Sequence, residues 1–227
     1  MFDHADLASA LDDDGHACLP GLIAGDACRA LAALFAAPGH FRNHVHMARH
    51  NFGRGEYKYF AEPLPPLVAH LRETLYGPLA RIANHWQVRL GLPARYPAQH
   101  ADYRAQCHAA GQARPTPLLL RYRAGDYNCL HQDLYGAEIF PLQLTVLLSA
   151  PGADFSGGEF VLTEQRPRMQ SRVAVVPLAQ GDAVIFPVST RPVAGTRGYY
   201  RLNTRHGVSR VRHGERYALG VIFHDAA

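Results

Sequence analysis

The first half of the chain carries apolar residues that recur with the period of an α-helix. Spacing of about three to four positions between apolar residues is typical of an amphipathic helix, and it predicts helices over residues 4–13, 26–36, 64–91 and 97–109. Asp26 begins the second run and is a suitable N-cap, because its carboxylate can accept a hydrogen bond from the first turn. Gly77-Pro78 interrupts the third run, so we expect two helices there.

From Pro117 onward the pattern becomes that of β-structure. Short apolar runs separated by turn-forming residues predict strands over 118–123, 129–133, 142–149, 158–163, 173–176, 183–187, 199–205 and 216–223. The sequence between these runs offers no crossover helices, which favours an antiparallel arrangement. We therefore predict a mainly β fold with N-terminal helices, in which a double-stranded β-helix (jelly roll) core is packed by the helices.

Composition places the chain among ordinary globular proteins. It has 227 residues, of which 48% are hydrophobic and 19% charged. The acidic N-terminus has no apolar leader and no run is long enough to span a bilayer, so we expect a cytoplasmic protein with no membrane partner. The four cysteines lack paired spacing and are expected to be reduced core thiols: Cys18, Cys28, Cys107 and Cys129.

Charge is unevenly distributed along the chain. Ten arginines and four acidic residues lie from residue 160 onward, whereas the first 28 residues hold six aspartates and no arginine or lysine. Arginine-rich faces suit anionic partners, nucleic acid included. A solvated surface is the alternative, and Lys58 is the only lysine, so a general preference for arginine weakens the argument.

The densest candidate chemistry lies at His131 and Asp133. These residues are two positions apart, and on a strand they would point to one face and could reach one ion. A His-x-Asp pair alone is more often structural, so a third ligand is required. His206 is favoured over His213 and His224, which fall in a turn and at a strand end. Two histidines and one carboxylate are the ligand set of non-haem Fe(II) oxygenases.

Arg216 begins the last predicted strand, ten residues after His206. A carboxylate enters a partly buried pocket only at high cost unless a cation pairs with it. A guanidinium offers two parallel donors that fit a carboxylate. With His206 at this offset, we interpret Arg216 as the partner of the distal carboxylate of 2-oxoglutarate. The alternative is a surface arginine of the strand.

These motifs together resemble the Fe(II)/2-oxoglutarate dioxygenase superfamily. The segment LLLRYRAGDYNCLHQD, the later GGEF and the offset from His206 to Arg216 carry the resemblance. The distal part is similar to prolyl hydroxylases and the proximal part to AlkB-type repair dioxygenases, although those place the arginine further from the distal histidine. The segments HQDLYG, PGADFSGGEFVLTEQRPRMQSR and GDAVIF resemble a bacterial family of predicted nucleic-acid oxygenases, associated with oxidative demethylation of damaged DNA.

The resemblance implies cofactors and roles. Fe(II) would be bound by His131, Asp133 and His206, 2-oxoglutarate by Arg216 and Tyr122, and O2 would be the second cosubstrate. The alternative is that Tyr122 is an aromatic side chain that packs in the core. We expect one domain over residues 1–227, with a helical support and substrate region over 1–114 and the jelly-roll catalytic core over 115–227.

Two segments are candidates for substrate contact. One interleaves cations with aromatic rings, a combination that can hold phosphates and stack bases: Arg54, Tyr57, Lys58 and Tyr59. The other is an arginine-rich hairpin that contains Arg166, Arg168 and Arg172. The alternative for the first segment is an edge strand with alternating exposure, and the alternative for the second is a hairpin whose arginines face water. Four histidines shortly before Arg54 lack an evident carboxylate partner, and we interpret them as surface or hydrogen-bonding residues: His40, His44, His46 and His50.

Three functions remain open on the sequence. The first is an oxygenase that acts on alkylated DNA or RNA, and the second is a hydroxylase of a protein side chain or small metabolite. The third is a jelly-roll binding module without enzymatic activity. The complete set of His131, Asp133, His206 and Arg216 argues against the third.

Overall fold

The computed structural model describes residues 4–227 and contains four α-helices within them. They are α1 (His4–Asp13), α2 (Gly25–Ala33), α3 (Pro66–Arg89) and α4 (His100–Ala109). Two short 3-10 helices follow α2 and the second strand, at Leu34–Ala36 and Met47–His50. Among the described residues, no helix is both long and apolar enough to span a membrane.

Fourteen strands make up the rest of the regular structure in the described part of the chain. They are β1 (Ala17–Leu19), β2 (Phe41–His46), β3 (Gly53–Arg54), β4 (Glu56–Phe60), β5 (Leu118–Arg123), β6 (Tyr127–His131), β7 (Leu142–Leu147), β8 (Phe155–Gly157), β9 (Phe160–Gln165), β10 (Ser171–Val176), β11 (Ala183–Pro187), β12 (Thr190–Gly195), β13 (Gly198–Val208) and β14 (Val211–Val221).

The strands form two antiparallel sheets. The larger has the order β1-β11-β7-β14-β5-β4-β2, with β8 paired to β14. The smaller has the order β10-β9-β13-β6-β3, with β12 paired to β13. Neighbours in each sheet are largely distant in sequence, and this is the connectivity of a double-stranded β-helix. The predicted jelly roll with N-terminal helices is therefore confirmed.

Strand β7 shows how the large sheet is buried on both faces. Leu142, Leu144 and Val146 pack into the main core, which includes buried residues of α2, α3 and α4. The alternate position Leu147 packs in a second cluster with Tyr122 and Phe155, on the inner side of the roll. Because successive side chains of a strand point to opposite faces, one apolar strand serves both layers.

The third predicted helical region is one helix and not two. α3 continues through Pro78 from Pro66 to Arg89, so the expected break at Gly77-Pro78 is wrong. Proline removes one backbone hydrogen bond, but residues on both sides of it are buried in the same core, among them Leu71, Leu79 and Trp86. Burial of this continuous apolar face outweighs the lost hydrogen bond.

Some local predictions also need correction. α2 begins at Gly25 and Ala24 is its N-cap, so Asp26 lies inside the first turn and its carboxylate accepts a hydrogen bond from Ala27 N at 2.8 Å. All four cysteines are free, but only Cys28 and Cys107 are buried, whereas Cys18 and Cys129 are exposed. Cys18 is the outward residue of the short strand β1, and Cys129 lies in β6 next to the exposed Leu130.

A buried ion pair fastens the C-terminus to α3. The Arg72 side chain is 2% exposed and its Nη2 lies 2.6 Å from Asp225 Oδ1. The same guanidinium donates to the carbonyls of Ile222, Phe223 and His224. Burial raises the pKa of Asp225, but the charge of Arg72 and its hydrogen bonds more than offset this effect, so the pKa is lowered.

Replacement of Arg72 by methionine is expected to destabilise the protein strongly, because it leaves the Asp225 carboxylate without its buried partner. Loss of one member of a buried pair costs about 3–5 kcal/mol, and for a chain of this size that lowers the Tm by roughly 6–20 °C. Thermal unfolding followed by circular dichroism measures the change. Arg81→Met, on the exposed face of α3, is the control. Equal Tm values for the two variants would contradict the assignment.

Candidate metal centre and active site

Three residues from separate segments converge at one end of the roll. β6 ends at His131, which lies opposite His206 of β13 in the smaller sheet. Asp133 follows His131 by two residues and lies just beyond the strand, which is shorter than the predicted 129–133. One ligand atom from each of the three lies within 4.8 Å of the other two. The three residues predicted from the sequence therefore come together.

The distances suit a single metal ion. Asp133 Oδ1 lies 3.5 Å from His131 Nε2, and Asp133 Oδ2 lies 3.4 Å from His206 Nε2. The centroids of the two imidazole rings are 4.1 Å apart. His131 Nδ1 donates to the carbonyl of Cys129 at 2.8 Å, which leaves Nε2 with its lone pair toward the centre. A backbone hydrogen bond of this kind fixes the tautomer of a metal-binding histidine.

The electrostatics of Asp133 and His131 favour the protonation states that a metal requires. Burial raises the pKa of Asp133, but His206, His131 and Gln143 more than offset it, so the pKa lies far below its usual range. Burial and the neighbouring His206 lower the pKa of His131. An ionised carboxylate and neutral imidazoles are the forms that bind a divalent ion. The three residues fit Fe(II), whose preferred site is two histidines and one carboxylate.

Gln143 is a further polar residue of the centre that the sequence reasoning missed. Its Nε2 donates to Asp133 Oδ2 at 2.8 Å and lies 3.1 Å from His206 Nε2. Its Oε1 is buried and has no hydrogen-bond partner among the described residues. The signal was present in β7, where Gln143 and Thr145 interrupt an apolar strand at alternate positions that share one face.

Arg216 lies in the same pocket as the three residues and is almost fully buried. Only 1% of it is exposed, and its guanidinium carbon is 5.6 Å from the centroid of the Tyr122 ring. Nε and Nη1 have no hydrogen-bond partner within residues 4–227. Burial lowers the pKa of this guanidinium. A buried cation with two free donors calls for an anionic ligand, because an uncompensated buried charge is costly.

Tyr122 and Gly158 shape the surroundings of Arg216. Tyr122 is fully buried, and its hydroxyl accepts a hydrogen bond from Asn128 Nδ2 at 3.3 Å. Burial raises the pKa of the phenol, so the hydroxyl keeps its proton and can donate it to a carboxylate. Gly158 has φ +63°, and a Cβ there would lie 2.9 Å from Arg216 Cδ. A residue with a side chain at position 158 would therefore crowd Arg216.

The predicted substrate residues are divided among different places. Tyr57 and Tyr59 line the pocket with the metal-centre residues, and their ring centroids are 5.4 Å apart. Lys58 does not line it: its Nζ donates to the carbonyl of Phe35 at 2.8 Å, because alternation on β4 turns it to the outer face of the sheet. Arg54 is exposed on β3. Tyr135, which was not predicted, also lines the pocket.

The arginine-rich hairpin lies outside this pocket. Arg166 and Arg172 line a separate cleft together with Asp12 and Tyr199, and Arg172 Nη2 lies 2.7 Å from Glu164 Oε2. Arg168 is exposed in the turn between β9 and β10, with φ +63°. None of these three arginines therefore lines the metal pocket.

The two alternative third ligands are also elsewhere. His213 is exposed on β14, opposite Ser156 of β8. His224 is buried near the C-terminus, where its Nδ1 accepts a hydrogen bond from Phe140 N at 3.3 Å. Neither belongs to the cluster formed by His131, Asp133 and His206.

Comparison with known proteins identifies the family. A family model described as "Oxygenase, catalysing oxidative methylation of damaged DNA" matches residues 55–226. An uncharacterized protein of Mycobacterium tuberculosis is 49% identical over 168 residues, which cover 74% of this chain and 72% of that protein. The match to the family model extends from β4 to the C-terminus and contains every residue of the metal centre.

Solved structures with the same fold belong to 2-oxoglutarate oxygenases. A 2OG-Fe(II) oxygenase family oxidoreductase from Burkholderia pseudomallei superposes with a TM-score of 0.59 at 18% identity, over 100% of this chain and 94% of that one. A Trichoplax adhaerens prolyl hydroxylase, in complex with a peptide fragment of hypoxia inducible factor, gives a TM-score of 0.59 at 14% identity, over 96% and 86% of the two chains. At these identities the likeness concerns the fold.

The family match, the fold and the cluster of His131, Asp133 and His206 together define an enzyme, a 2-oxoglutarate- and Fe(II)-dependent dioxygenase. Within this class, the chain belongs to the oxygenase family whose model matches residues 55–226. Its cofactors are Fe(II), 2-oxoglutarate and O2, as the sequence predicted.

The buried guanidinium is expected to dominate 2-oxoglutarate affinity. Arg216→Met removes a cation that would be paired with a buried carboxylate, a loss of about 3–5 kcal/mol, and should weaken binding on the order of 10²–10⁴-fold. Titration of 2-oxoglutarate into the Fe(II)-loaded protein, followed by the visible charge-transfer absorption, measures this. Arg212→Met, exposed on the same strand, should bind normally. Unchanged affinity in Arg216→Met would place the cosubstrate elsewhere.

Gln143→Leu is expected to weaken iron binding about 10–100-fold, the usual effect of removing a side chain that orients a metal ligand. The reason is that Asp133 loses the amide that holds its Oδ2. Fe(II) affinity under anaerobic conditions is the measurement, and Gln106→Leu, exposed on α4, is the control. If both variants bind iron with the same affinity, Gln143 packs in the pocket but does not orient Asp133 for the metal.

Proposed function

We propose that His131, Asp133 and His206 hold the catalytic Fe(II), and that Arg216 and Tyr122 hold the distal carboxylate of 2-oxoglutarate. The observation that carries this proposal is the buried guanidinium of Arg216, whose Nε and Nη1 have no partner among the described residues. It lies in one pocket with the three ligands. An anionic cosubstrate in this pocket would pair with the buried guanidinium and would also supply ligands to the ion.

Fe(II) held by His131, Asp133 and His206 would supply oxidation chemistry, in which 2-oxoglutarate and O2 are converted to succinate and CO2 and one oxygen atom of O2 is inserted into a substrate C–H bond. The residues of this chain bind and orient the reactants. Arg216 and the Tyr122 hydroxyl fix one end of the cosubstrate, and Gln143 steadies the carboxylate of Asp133. Apolar residues keep water from the reacting atoms, among them Leu120, Phe160 and Val208.

We further propose that the substrate is alkylated nucleic acid. The description of the matching family, which names damaged DNA, supports this choice. The description speaks of oxidative methylation, but an oxygenase oxidises a methyl group and does not add one. On an N-methylated base, hydroxylation of the methyl carbon gives an alcohol that releases formaldehyde, so the expected outcome is demethylation. A base within a duplex would have to be flipped out of the stack.

A cation–aromatic group beside the pocket supports an anionic substrate. Arg54 lies opposite Tyr127 in the pairing of β3 with β6, and the guanidinium carbon of Arg210 is 5.7 Å from the centroid of the Tyr127 ring. Both arginines are exposed. Asn128, which follows Tyr127 in the sequence, lines the pocket. Two cations at this rim could contact phosphates while a base enters between Tyr57 and Tyr135.

The alternative substrate is a protein side chain or a small metabolite. The prolyl hydroxylases that share the fold favour it, and one of them is bound to a peptide fragment. The shared fold does not identify the substrate, since one fold hosts many reactions. The two substrate classes are therefore separated by experiment.

Succinate formation tests the proposed function. The anaerobically prepared, Fe(II)-loaded protein is mixed with 2-oxoglutarate and O2, alone and with pools of methylated oligonucleotides, peptides or metabolites. We expect stimulation and formaldehyde release with the oligonucleotides, and no succinate from His131→Ala. Stimulation by peptides or metabolites alone would establish the alternative. Absence of succinate in every pool, together with no binding of iron or 2-oxoglutarate, would leave the binding-module interpretation.

The rim arginines provide a second measurement in the same experiment. Arg54→Ala with Arg210→Ala should reduce the slope of log affinity for an oligonucleotide against log salt by about 2, because each phosphate contact contributes about one counterion. Arg29→Ala, exposed on α2, should not change the slope. An unchanged slope in the double variant would place the nucleic acid on another surface.

A further inference from the structure

A second group of metal-binding side chains lies on the large sheet. His44 and His46 are two positions apart on β2, and Glu56 of β4 is directly opposite His46. One ligand atom from each residue lies within 4.8 Å of the others. His44 Nε2 is 2.5 Å from Glu56 Oε2, and the two imidazole centroids are 4.4 Å apart. The carboxylate that the sequence pattern seemed to lack is therefore supplied by the neighbouring strand.

This arrangement repeats the layout of the catalytic centre. In both places two ligands are separated by one residue, and the third is opposite one of them across an antiparallel strand pair. At the catalytic centre the pair in register is His131 and His206; here it is His46 and Glu56. Both sets contain two histidines and one carboxylate. The geometry that brings three donors to one ion is thus present twice in the chain.

Glu56 is held in a form that can bind a cation. Arg121 donates to Glu56 Oε1 from Nε at 3.1 Å and from Nη2 at 2.6 Å, which leaves Oε2 on the side of the histidines. The carboxylate is therefore oriented by its arginine, with one oxygen available on the side of the two imidazoles.

Access and local charge permit an ion at this place. The side chain of His44 is 37% exposed and that of Glu56 is 14% exposed, so solvent reaches the cluster. Two cations are nearby and oppose metal binding. One of them, Arg121, is neutralised by Glu56 itself, and the other, Lys58, turns its ammonium group to the carbonyl of Phe35.

We propose that His44, His46 and Glu56 form a second site for a divalent transition-metal ion of the zinc type. Imidazole nitrogen and carboxylate oxygen are ligands that zinc accepts, and water would complete a tetrahedral set. The site shares no residue with the catalytic centre and does not depend on the proposed substrate. An ion here joins the edge strand β2 to β4, whose alternate residues Tyr57 and Tyr59 line the catalytic pocket.

The test is zinc binding by the full chain after the catalytic centre has been disabled by His131→Ala and Asp133→Ala. Calorimetric titration with zinc chloride should still detect one ion per chain. Adding His44→Ala or Glu56→Gln should weaken this binding by more than about 100-fold, because even a residue that only orients a metal ligand contributes about 10–100-fold. Adding His50→Ala should leave it unchanged, since that exposed ring stacks on Phe52.

Thermal unfolding gives a readout that is independent of calorimetry. Zinc should raise the Tm of the His131→Ala, Asp133→Ala protein, because a ligand that binds only the folded state stabilises it, and should have no effect once His44 is also replaced. Circular dichroism without zinc verifies that each variant is folded. The proposal is overturned if the first protein binds no zinc, or if binding survives the combined loss of His44 and Glu56.

Discussion

The pairing of β6 with β13 is the constraint on which the active site depends. It places His131 opposite His206, two residues that are far apart in sequence, and it brings Asp133 to the same end of the roll. A shift of this pairing by one residue would turn one histidine to the other face, since strand side chains alternate. β13 continues through a short turn into β14, so the same register also sets the position of Arg216.

Several polar groups inside the roll have no hydrogen-bond partner in the described residues, and the proposed ligands would supply one. Arg216 has two donor nitrogens without partners, and Gln143 Oε1 and His206 Nδ1 are likewise buried without hydrogen bonds among residues 4–227. Such groups are costly in a folded protein unless something pairs with them. Four of the seven such atoms among the described residues belong to side chains of this one pocket, and the other three are on α3 and α4, at Arg72, Tyr76 and Tyr103.

The large sheet has different chemistry on its two faces because its residues alternate. On β4, Tyr57 and Tyr59 face the pocket, whereas Glu56 and Lys58 meet His44, Arg121 and the carbonyl of Phe35 on the outer side. The cations and aromatic rings that follow one another in this part of the sequence are thus divided between the two faces of the sheet. Tyr57 and Tyr59 line the pocket, and of the two charged residues only Glu56 belongs to the proposed second metal site.

The sequence alone determined the class of fold, and it predicted the three candidate metal ligands and Arg216, because motif order and strand periodicity can be read without coordinates. It placed most strands within a few residues, for example 183–187. Other features needed the tertiary structure. Core packing on both sides of Pro78 decided that α3 is continuous, and pairing across strands decided that Gln143 meets Asp133 and that Glu56 meets His44. Such contacts join residues far apart or on separate strands, and only the fold brings them together.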